Sequence, residues 1–190
     1  MQITDIVTYH VHDRTWQQGK PYQSAMILLR VLTDEGITGV GQCYSVGADA
    51  GVIGTLENMK PWLIGQDPSR IEWLLRRAKN TMRFSLGPAA WAALSGIDIA
   101  LWDIAGKAAG VPVYRLFGGP VRDRVRVYTH VGGATSEECA KNARKLLSEG
   151  YTAFKVEPAM PHGWPEMPWP QVVRETEARV RATREAIGDG

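Results

Sequence analysis

The first third of the chain alternates between apolar and polar positions, which is the pattern of half-buried β-strands. Residues 1–11 (MQITDIVTYHV) alternate in this way and are rich in β-branched and aromatic side chains. Residues 24–33 and 37–44 repeat the pattern, and an Asp-Glu-Gly turn at 34–36 joins them as a hairpin. The pattern therefore predicts a three-stranded antiparallel meander.

After the meander the apolar spacing changes to that of amphipathic helices. A first helix is predicted over residues 50–63, and a second begins with Asp67 as its N-cap and Pro68 at its first position. A third helix runs over 88–109 and ends where Gly110 supplies a left-handed cap. Its predicted apolar stripe consists of Leu94, Ile97, Leu101, Ile104, Ala105 and Ala108.

In the last third of the chain, strand and helix patterns alternate. Strands are predicted over residues 125–130 (VRVYTH) and 151–157 (YTAFKVE), and the helix between them opens with a capping box of Thr135 and Glu138. A further helix is predicted over 171–187, after a loop rich in Pro and Trp. A strand, a helix and a second strand in this order form a parallel, right-handed unit.

This order of elements predicts an α+β domain of three antiparallel strands and helices, followed by an α/β domain. We expect the first domain to span residues 1–115 and the second to span 116–190. A sheet of two parallel strands keeps two open edges and cannot close on itself. The sequence therefore predicts that the second domain is truncated before its third strand.

Composition and charge narrow the classes of function. Hydrophobic residues make up 44% of the chain, which is enough for a packed core, and the net charge is only +2 without a basic run or tail. Cys43 and Cys139 lie far apart, outside any metal-type spacing. The N-terminus shows no signal-peptide pattern, and no apolar run reaches membrane-spanning length. We expect a cytoplasmic protein without nucleic-acid or membrane partners.

A long stretch at the end of the third predicted helix resembles a known family. Residues 93–119 read ALSGIDIALWDIAGKAAGVPVYRLFGG. This stretch is similar to the signature at the domain junction in the mandelate racemase/muconate lactonizing group of the enolase superfamily. The resemblance implies an α+β cap domain, followed by the first β/α units of an incomplete (β/α) TIM-type barrel.

The same resemblance implies a chemistry. Members of this group remove a proton α to a carboxylate, and Mg²⁺ stabilises the enediolate that results. Such a proton is a very weak acid, so cationic groups must hold the developing charge. The sequence itself shows no cluster of metal ligands, and the resemblance implies that the Mg²⁺ carboxylates lie on barrel strands beyond Gly190. It also implies a small-molecule carboxylate substrate and a homo-oligomer.

Two residues at the end of the second barrel strand are the catalytic candidates. Lys155 falls on the first lysine of the family's Lys-x-Lys motif, and Glu157 stands where many members have the second lysine as their base. Because strand side chains alternate, both lie on one face. The glutamate disfavours racemases and cycloisomerases that use a lysine base there, and it favours sugar-acid dehydratases.

The candidate substrate contacts are scattered along the chain. Trp16, Lys20 and Tyr22 lie in the segment that corresponds to the family's mobile specificity loop, where a solvated hairpin loop is the alternative. Tyr44 lies in the second loop of the cap domain. His130 ends the first barrel strand, where packing or solvent exposure is as compatible with the sequence as substrate contact.

Two aspartates in the signature stretch have a structural interpretation. Asp98 lies at the edge of the apolar stripe, and we expect it to accept hydrogen bonds at the domain junction. Asp103 lies nearly opposite and has Lys107 four residues later, which predicts a surface ion pair. The two carboxylates do not converge, so they are not predicted to form an acid/base pair.

The function that these observations favour is a Mg²⁺-dependent sugar-acid dehydratase, of which residues 1–190 alone would be inactive. A racemase or cycloisomerase of the same group is the alternative within enzymes. A non-catalytic fragment or interaction module is the alternative from another class. Carboxylates at the ends of the next three strands would separate the enzymes from the module.

Overall fold

The computed structural model describes residues 1–12, 26–44, 47–81, 87–156 and 166–188. The elements in these residues follow the order β1 (Ile3–Val11), β2 (Met26–Thr33), β3 (Thr38–Cys43), α1 (Asp49–Leu63), α2 (Ile71–Thr81), α3 (Pro88–Ala109), α4 (Val113–Leu116), β4 (Thr129–Val131), α5 (Ser136–Ser148), β5 (Phe154–Val156) and α6 (Trp169–Ile187). They belong to two compact units, Met1–Val121 and Arg122–Gly190. The predicted functional boundary after residue 115 stays a prediction.

The first unit contains the meander that the sequence predicts. β1 pairs antiparallel with β2, and β2 pairs antiparallel with β3, in the order β1-β2-β3. Alternate residues of β2 face the helices, and Ile27, Leu29 and Val31 have no exposed surface. This is the period-two burial that the sequence pattern indicates. No described helix is both long and apolar enough to cross a membrane.

The helices α1, α2 and α3 cover one face of this sheet and complete its core. Their buried residues repeat at helical spacing, and Val52, Leu56, Leu74, Leu101 and Ile104 are each at most 1% exposed. These side chains form one cluster with the inward residues of the strands. The cluster gives the first unit a single hydrophobic core.

The helix α3 lies unusually close to β3, because glycines face each other across the contact. A Cβ atom on Gly41 would overlap the carbonyl oxygen of Gly96 and would lie 2.9 Å from its carbonyl carbon. A Cβ on Gly39 would overlap the carbonyl oxygen of Ala100 in the same way. A Cβ on Gly96 would in turn meet the Cys43 sulfur. Backbone therefore packs on backbone along this contact.

The third predicted helix is confirmed, including its end. α3 spans Pro88–Ala109, and Gly110 caps it with φ of 67°, a left-handed conformation that glycine adopts without steric cost. Of the predicted stripe, Ala108 is exposed, because the last turn of α3 extends past the sheet. The short helix α4, which follows the cap, was not predicted from the sequence.

The predicted start of the second helix is wrong. α2 begins at Ile71, and Asp67 instead closes a turn in which its side-chain oxygen accepts a hydrogen bond from the Ser69 amide at 2.9 Å. Aspartate side chains favour this local bond as readily as a helix cap. The apolar face of the helix is nevertheless as predicted, since Ile71 and Ala78 are buried.

The prediction for Asp98 is also wrong. Its Oδ1 is shielded from solvent and has no hydrogen-bond partner. Desolvation raises the pKa of this carboxyl, Glu72 adds to the rise, and a hydrogen bond from Trp102, one turn along the same helix, lowers it in part. Asp98 is therefore an incompletely satisfied carboxylate rather than an acceptor at a domain junction.

The glycine contact predicts a steep cost for added volume. Gly41→Ala should destabilise the protein by about 2 kcal/mol or more, because its Cβ meets backbone that cannot rotate away. Gly54→Ala in α1 is the matched control, since nothing lies within 4 Å of the added atom. It should stabilise the protein by roughly 0.5–1 kcal/mol. Urea denaturation measures both, and equal stabilities for the two variants would contradict the packing.

The shifted carboxyl of Asp98 predicts a dependence of stability on pH. Because folding raises its pKa above the ordinary 3.8, the wild type should lose stability relative to Asp98→Asn as pH rises through the folded pKa. Below pH 3.8 the pH-dependent part of the difference should vanish. Denaturant unfolding between pH 3 and pH 7 measures this.

Asp5 provides a control of opposite sign. A hydrogen bond from Lys60 is the main cause that lowers the pKa of the Asp5 carboxyl. The wild type should therefore gain stability relative to Asp5→Asn as pH rises through the folded pKa of Asp5. Parallel pH profiles for the two asparagine variants would refute the assignment for Asp98.

Candidate active site

The second unit brings two of the predicted site residues side by side. β4 and β5 pair in parallel, with His130 opposite Lys155 in the register. Neighbouring strands lie about 4.8 Å apart, and register partners point to the same side of a sheet. His130 and Lys155 therefore present an imidazole and an ammonium group on one face of the strand pair. Both side chains are exposed.

The other face of the strand pair is covered by α5, which fixes the direction of the candidate side chains. Val131 is 3% exposed and packs with Cys139 and Ala143 of that helix, and Phe154 and Val156 pack against the same cluster. The alternation along each strand then directs the side chains of the intervening residues away from α5. In a β/α barrel this is the interior face.

The predicted capping box holds the turn at the carboxyl end of β4. The amide of Glu138 donates to Thr135 Oγ1 at 3.2 Å, and the amide of Ala134 donates to Glu138 Oε2 at 2.7 Å. Two of the amides around the start of α5 are thereby satisfied reciprocally. The helix begins at Ser136, as this signal predicts.

Two further side chains tie the same turn to the helices. Asn142 of α5 donates to the Gly132 carbonyl at 2.7 Å, and the guanidinium of Arg179 in α6 donates to the Ala134 carbonyl, also at 2.7 Å. Arg179 is only 6% exposed. The sequence analysis missed this arginine, because its partner lies 45 residues away and a charged helix gives no local signal of such a contact.

The amino ends of the two strands are joined by a different contact. The side chain of Arg126 donates to Oγ1 of Thr152 at 3.0 Å and also to its carbonyl oxygen. Residues 125–128 are consequently not part of β4, which spans only Thr129–Val131. The predicted strand over 125–130 is therefore too long at its start, and the arginine side chain connects the chains there.

Several predicted residues lie outside this arrangement. Trp16, Lys20, Tyr22 and Glu157 fall outside the described residues. Tyr44 is described, directly after β3 in the first unit, and is 78% exposed. The site that the described part of the chain supports thus consists of His130 and Lys155.

The first unit contains a buried polar pair that the sequence analysis also missed. His10 Nε2 lies 3.1 Å from Asp49 Oδ2, and the aspartate is buried. His10 lies near the end of β1 and Asp49 at the start of α1, so the pair joins two elements that are 39 residues apart. The alternation of His10 and His12 along β1 was the available signal, although it does not identify the partner.

The described residues do not fit a metal ion. No group of three His, Cys, Asp or Glu side chains in the described part of the chain is arranged to hold one. Mg²⁺ requires several oxygen ligands at octahedral geometry, and the face with His130 and Lys155 carries nitrogen groups instead. No step of the chemistry below is therefore assigned to a metal in this chain.

The chemistry available at this face is that of a cation beside an imidazole. A lysine ammonium donates up to three hydrogen bonds to a carboxylate, and histidine can transfer protons near neutral pH. Such a pair at the carboxyl ends of parallel strands is placed where β/α barrels carry their active sites. It is suited to binding an organic acid and moving a proton next to its carboxylate.

Comparison with known proteins agrees with this placement. The N-terminal domain of the mandelate racemase / muconate lactonizing enzyme family matches residues 7–118. The chain belongs to this family. The resemblance stated for residues 93–119 is thereby confirmed, as is the fold class of an α+β cap followed by β/α elements of a barrel.

Relatives match beyond the cap domain. A D-galactonate dehydratase of Pectobacterium atrosepticum is 37% identical over 192 residues, which cover 100% of this chain and 46% of the relative. A solved mandelate racemase/muconate lactonizing enzyme from Sulfitobacter sp. has a TM-score of 0.82 at 31% identity, over 100% of this chain and 51% of that chain. The chain thus spans about half the length of the curated relatives it matches.

A third similar protein was solved with ligands. It is an enolase from Pantoea ananatis with bound D-gluconate and Mg, at a TM-score of 0.72 and 35% identity. The match covers 82% of this chain and 36% of that chain. The family is thus shown over both units of this chain, and the relatives' names are those of enzymes that act on or bind sugar acids.

The capping box predicts a measurable contribution to the second unit. Thr135→Ala should destabilise the protein by about 1 kcal/mol, because the amide of Glu138 loses its acceptor at the start of α5. Ser136→Ala, one residue further, is the control and should change stability by less than about half of that amount. Thermal and urea unfolding measure both. A Thr135→Ala variant as stable as the Ser136 variant would contradict the described cap.

Proposed function

We propose that the protein is a dehydratase of sugar acids that removes the proton α to the carboxylate and eliminates the β-hydroxyl as water. The observation that carries this proposal is the register of His130 and Lys155 on one face at the carboxyl ends of β4 and β5. The full-length match of this chain to a D-galactonate dehydratase supports the substrate class.

The reaction sets clear demands on the site. Removal of the proton at C2 of a sugar acid places a second negative charge on the carboxylate, so the transition state needs cationic and hydrogen-bonding groups. The hydroxyl at C3 then leaves with a proton, as water, and the enol that remains becomes a 2-keto acid. A base at C2 and an acid at C3 are therefore both required.

Lys155 and His130 fit the first half of these demands. The ammonium of Lys155 is placed to hold the substrate carboxylate and the charge that grows on it. His130, its register partner on the neighbouring strand, is placed to donate a hydrogen bond to the same substrate. We assign substrate binding to His130 and a catalytic, charge-stabilising role to Lys155.

Glu157 is the third member of this proposal. Two residues after Lys155, it follows the same side of the strand by alternation, where it can orient the ammonium or move a proton. A lysine at this position would favour a racemase or cycloisomerase. We therefore prefer a dehydratase to that alternative, and the match of relatives over both units disfavours a non-catalytic module.

The remaining contacts and the cofactor are proposed from the family. Trp16, Lys20, Tyr22 and Tyr44 are proposed to contact the substrate from the cap domain, residues 1–115. The solved relative with bound D-gluconate and Mg supports a divalent ion, whose carboxylate ligands we place beyond residue 190. A cytoplasmic location and a homo-oligomeric state stay predictions.

Substitution of Lys155 tests the proposal. In the intact protein, Lys155→Met should lower kcat by roughly 10²–10⁴-fold on whichever sugar acid is turned over, because the growing charge loses its cation. Dehydration of D-galactonate and D-gluconate can be followed by the 2-keto acid that forms.

Lys141→Met is the matched control, since this lysine is an exposed residue of α5 and lies on the helix that covers the opposite face. It should keep wild-type kcat. Unfolding curves of both variants establish that the fold is intact. Wild-type turnover in Lys155→Met would refute the catalytic role, and absence of turnover on every sugar acid in the wild type would refute the activity.

A further inference from the structure

One face of α3 runs along β3 and changes its chemistry along the way. Gly96, Ala100, Asp103 and Lys107 follow at spacings of four, three and four residues, which places them on one side of a helix. The first two are small and allow the close approach described above. The last two are charged and lie where α3 continues along the outer edge of the strand.

Both charged side chains bond to the backbone of β3. Asp103 Oδ2 accepts a hydrogen bond from the Val40 amide at 2.8 Å. Lys107 Nζ donates to the Thr38 carbonyl oxygen at 2.7 Å. The same ammonium lies 2.6 Å from Asp103 Oδ2, so the predicted ion pair is confirmed and has partners on the strand.

The two backbone groups belong to the open edge of the sheet. β3 pairs with β2 on one side, and its register partners there include Val31 for Gly39 and Leu29 for Gly41. Backbone groups of a strand alternate between its two sides, so Val40 and Thr38 direct theirs away from β2. An amide and a carbonyl at this spacing are what an added strand would bind.

We propose that the Asp103–Lys107 pair takes the place of a fourth strand and keeps the edge of β3 from pairing with an extended strand of a second copy of this chain. The carboxylate occupies the donor of the edge, and the ammonium occupies its acceptor. An exposed edge strand is a site of association unless it is covered, and here the cover is supplied by two side chains of the helix already packed on the sheet.

The ion pair by itself does not account for this arrangement. Asp103 and Lys107 are 29% and 47% exposed, and exposed pairs contribute little to stability. The pair of Lys145 and Glu149 on α5 has the same sequence spacing but a separation of 3.8 Å. It therefore serves as a control in which an ion pair of the same type is removed from another helix.

Hydrogen exchange at a single amide tests the proposal in the intact protein. In the wild type the Val40 amide should exchange more slowly than an unprotected amide, although no strand bonds to it. Asp103→Ala should accelerate this exchange by roughly tenfold or more, whereas the amides of Gly39 and Gly41, which face β2, should keep their protection. Asp103→Asn retains an oxygen acceptor and should preserve most of the protection.

Sedimentation velocity tests the consequence for association. The double variant Asp103→Ala/Lys107→Ala should form larger species than the wild type as concentration rises, and the control Lys145→Ala/Glu149→Ala should sediment as the wild type does. An unprotected Val40 amide in the wild type would overturn the proposal without any variant. A folded double variant that sediments like the wild type at every concentration would overturn it as well.

Discussion

The first unit depends on one contact, the approach of α3 to β3 at backbone distance. Gly41 and Gly39 on the strand face the carbonyls of Gly96 and Ala100 on the helix, and a Cβ on either glycine would overlap an oxygen. Close packing of this kind leaves no room for adjustment. It fixes the height of α3 above the sheet, and α1 and α2 then pack around a helix that cannot move outward.

The position of α3 determines what the rest of its sequence can do. The turns that pass over the sheet bury Ile97, Leu101 and Ile104, and the turn beyond them reaches the edge of β3 with Asp103 and Lys107. The signature stretch therefore encodes a scaffold rather than a reaction. In the second unit a separate device, the register of β4 with β5, places His130 beside Lys155.

The sequence predicted the features that local patterns determine. The length of α3, its left-handed cap at Gly110 and the box of Thr135 and Glu138 follow from residues close to one another in the chain, and all three are present. The meander is present for the same reason, because alternation specifies which face of each strand is buried. The pairing of β4 with β5 followed from the order of elements.

The features that were missed depend on contacts between distant residues. Arg179 bonds to a turn in another element, and His10 meets Asp49 across the first unit. The start of α2 was misplaced because Asp67 has two local bonding modes that propensity does not separate. Asp98 was given partners that the fold does not supply. Each of these outcomes is decided by tertiary geometry rather than by residue type.

The most direct measurement of the central claim is a crystal structure of the intact protein with D-galactonate bound. The account predicts that the substrate carboxylate lies within hydrogen-bond reach, about 3 Å, of Lys155 Nζ, with the imidazole of His130 on the same side of the sugar acid. A sugar acid bound elsewhere, with neither side chain in contact with it, would contradict the account.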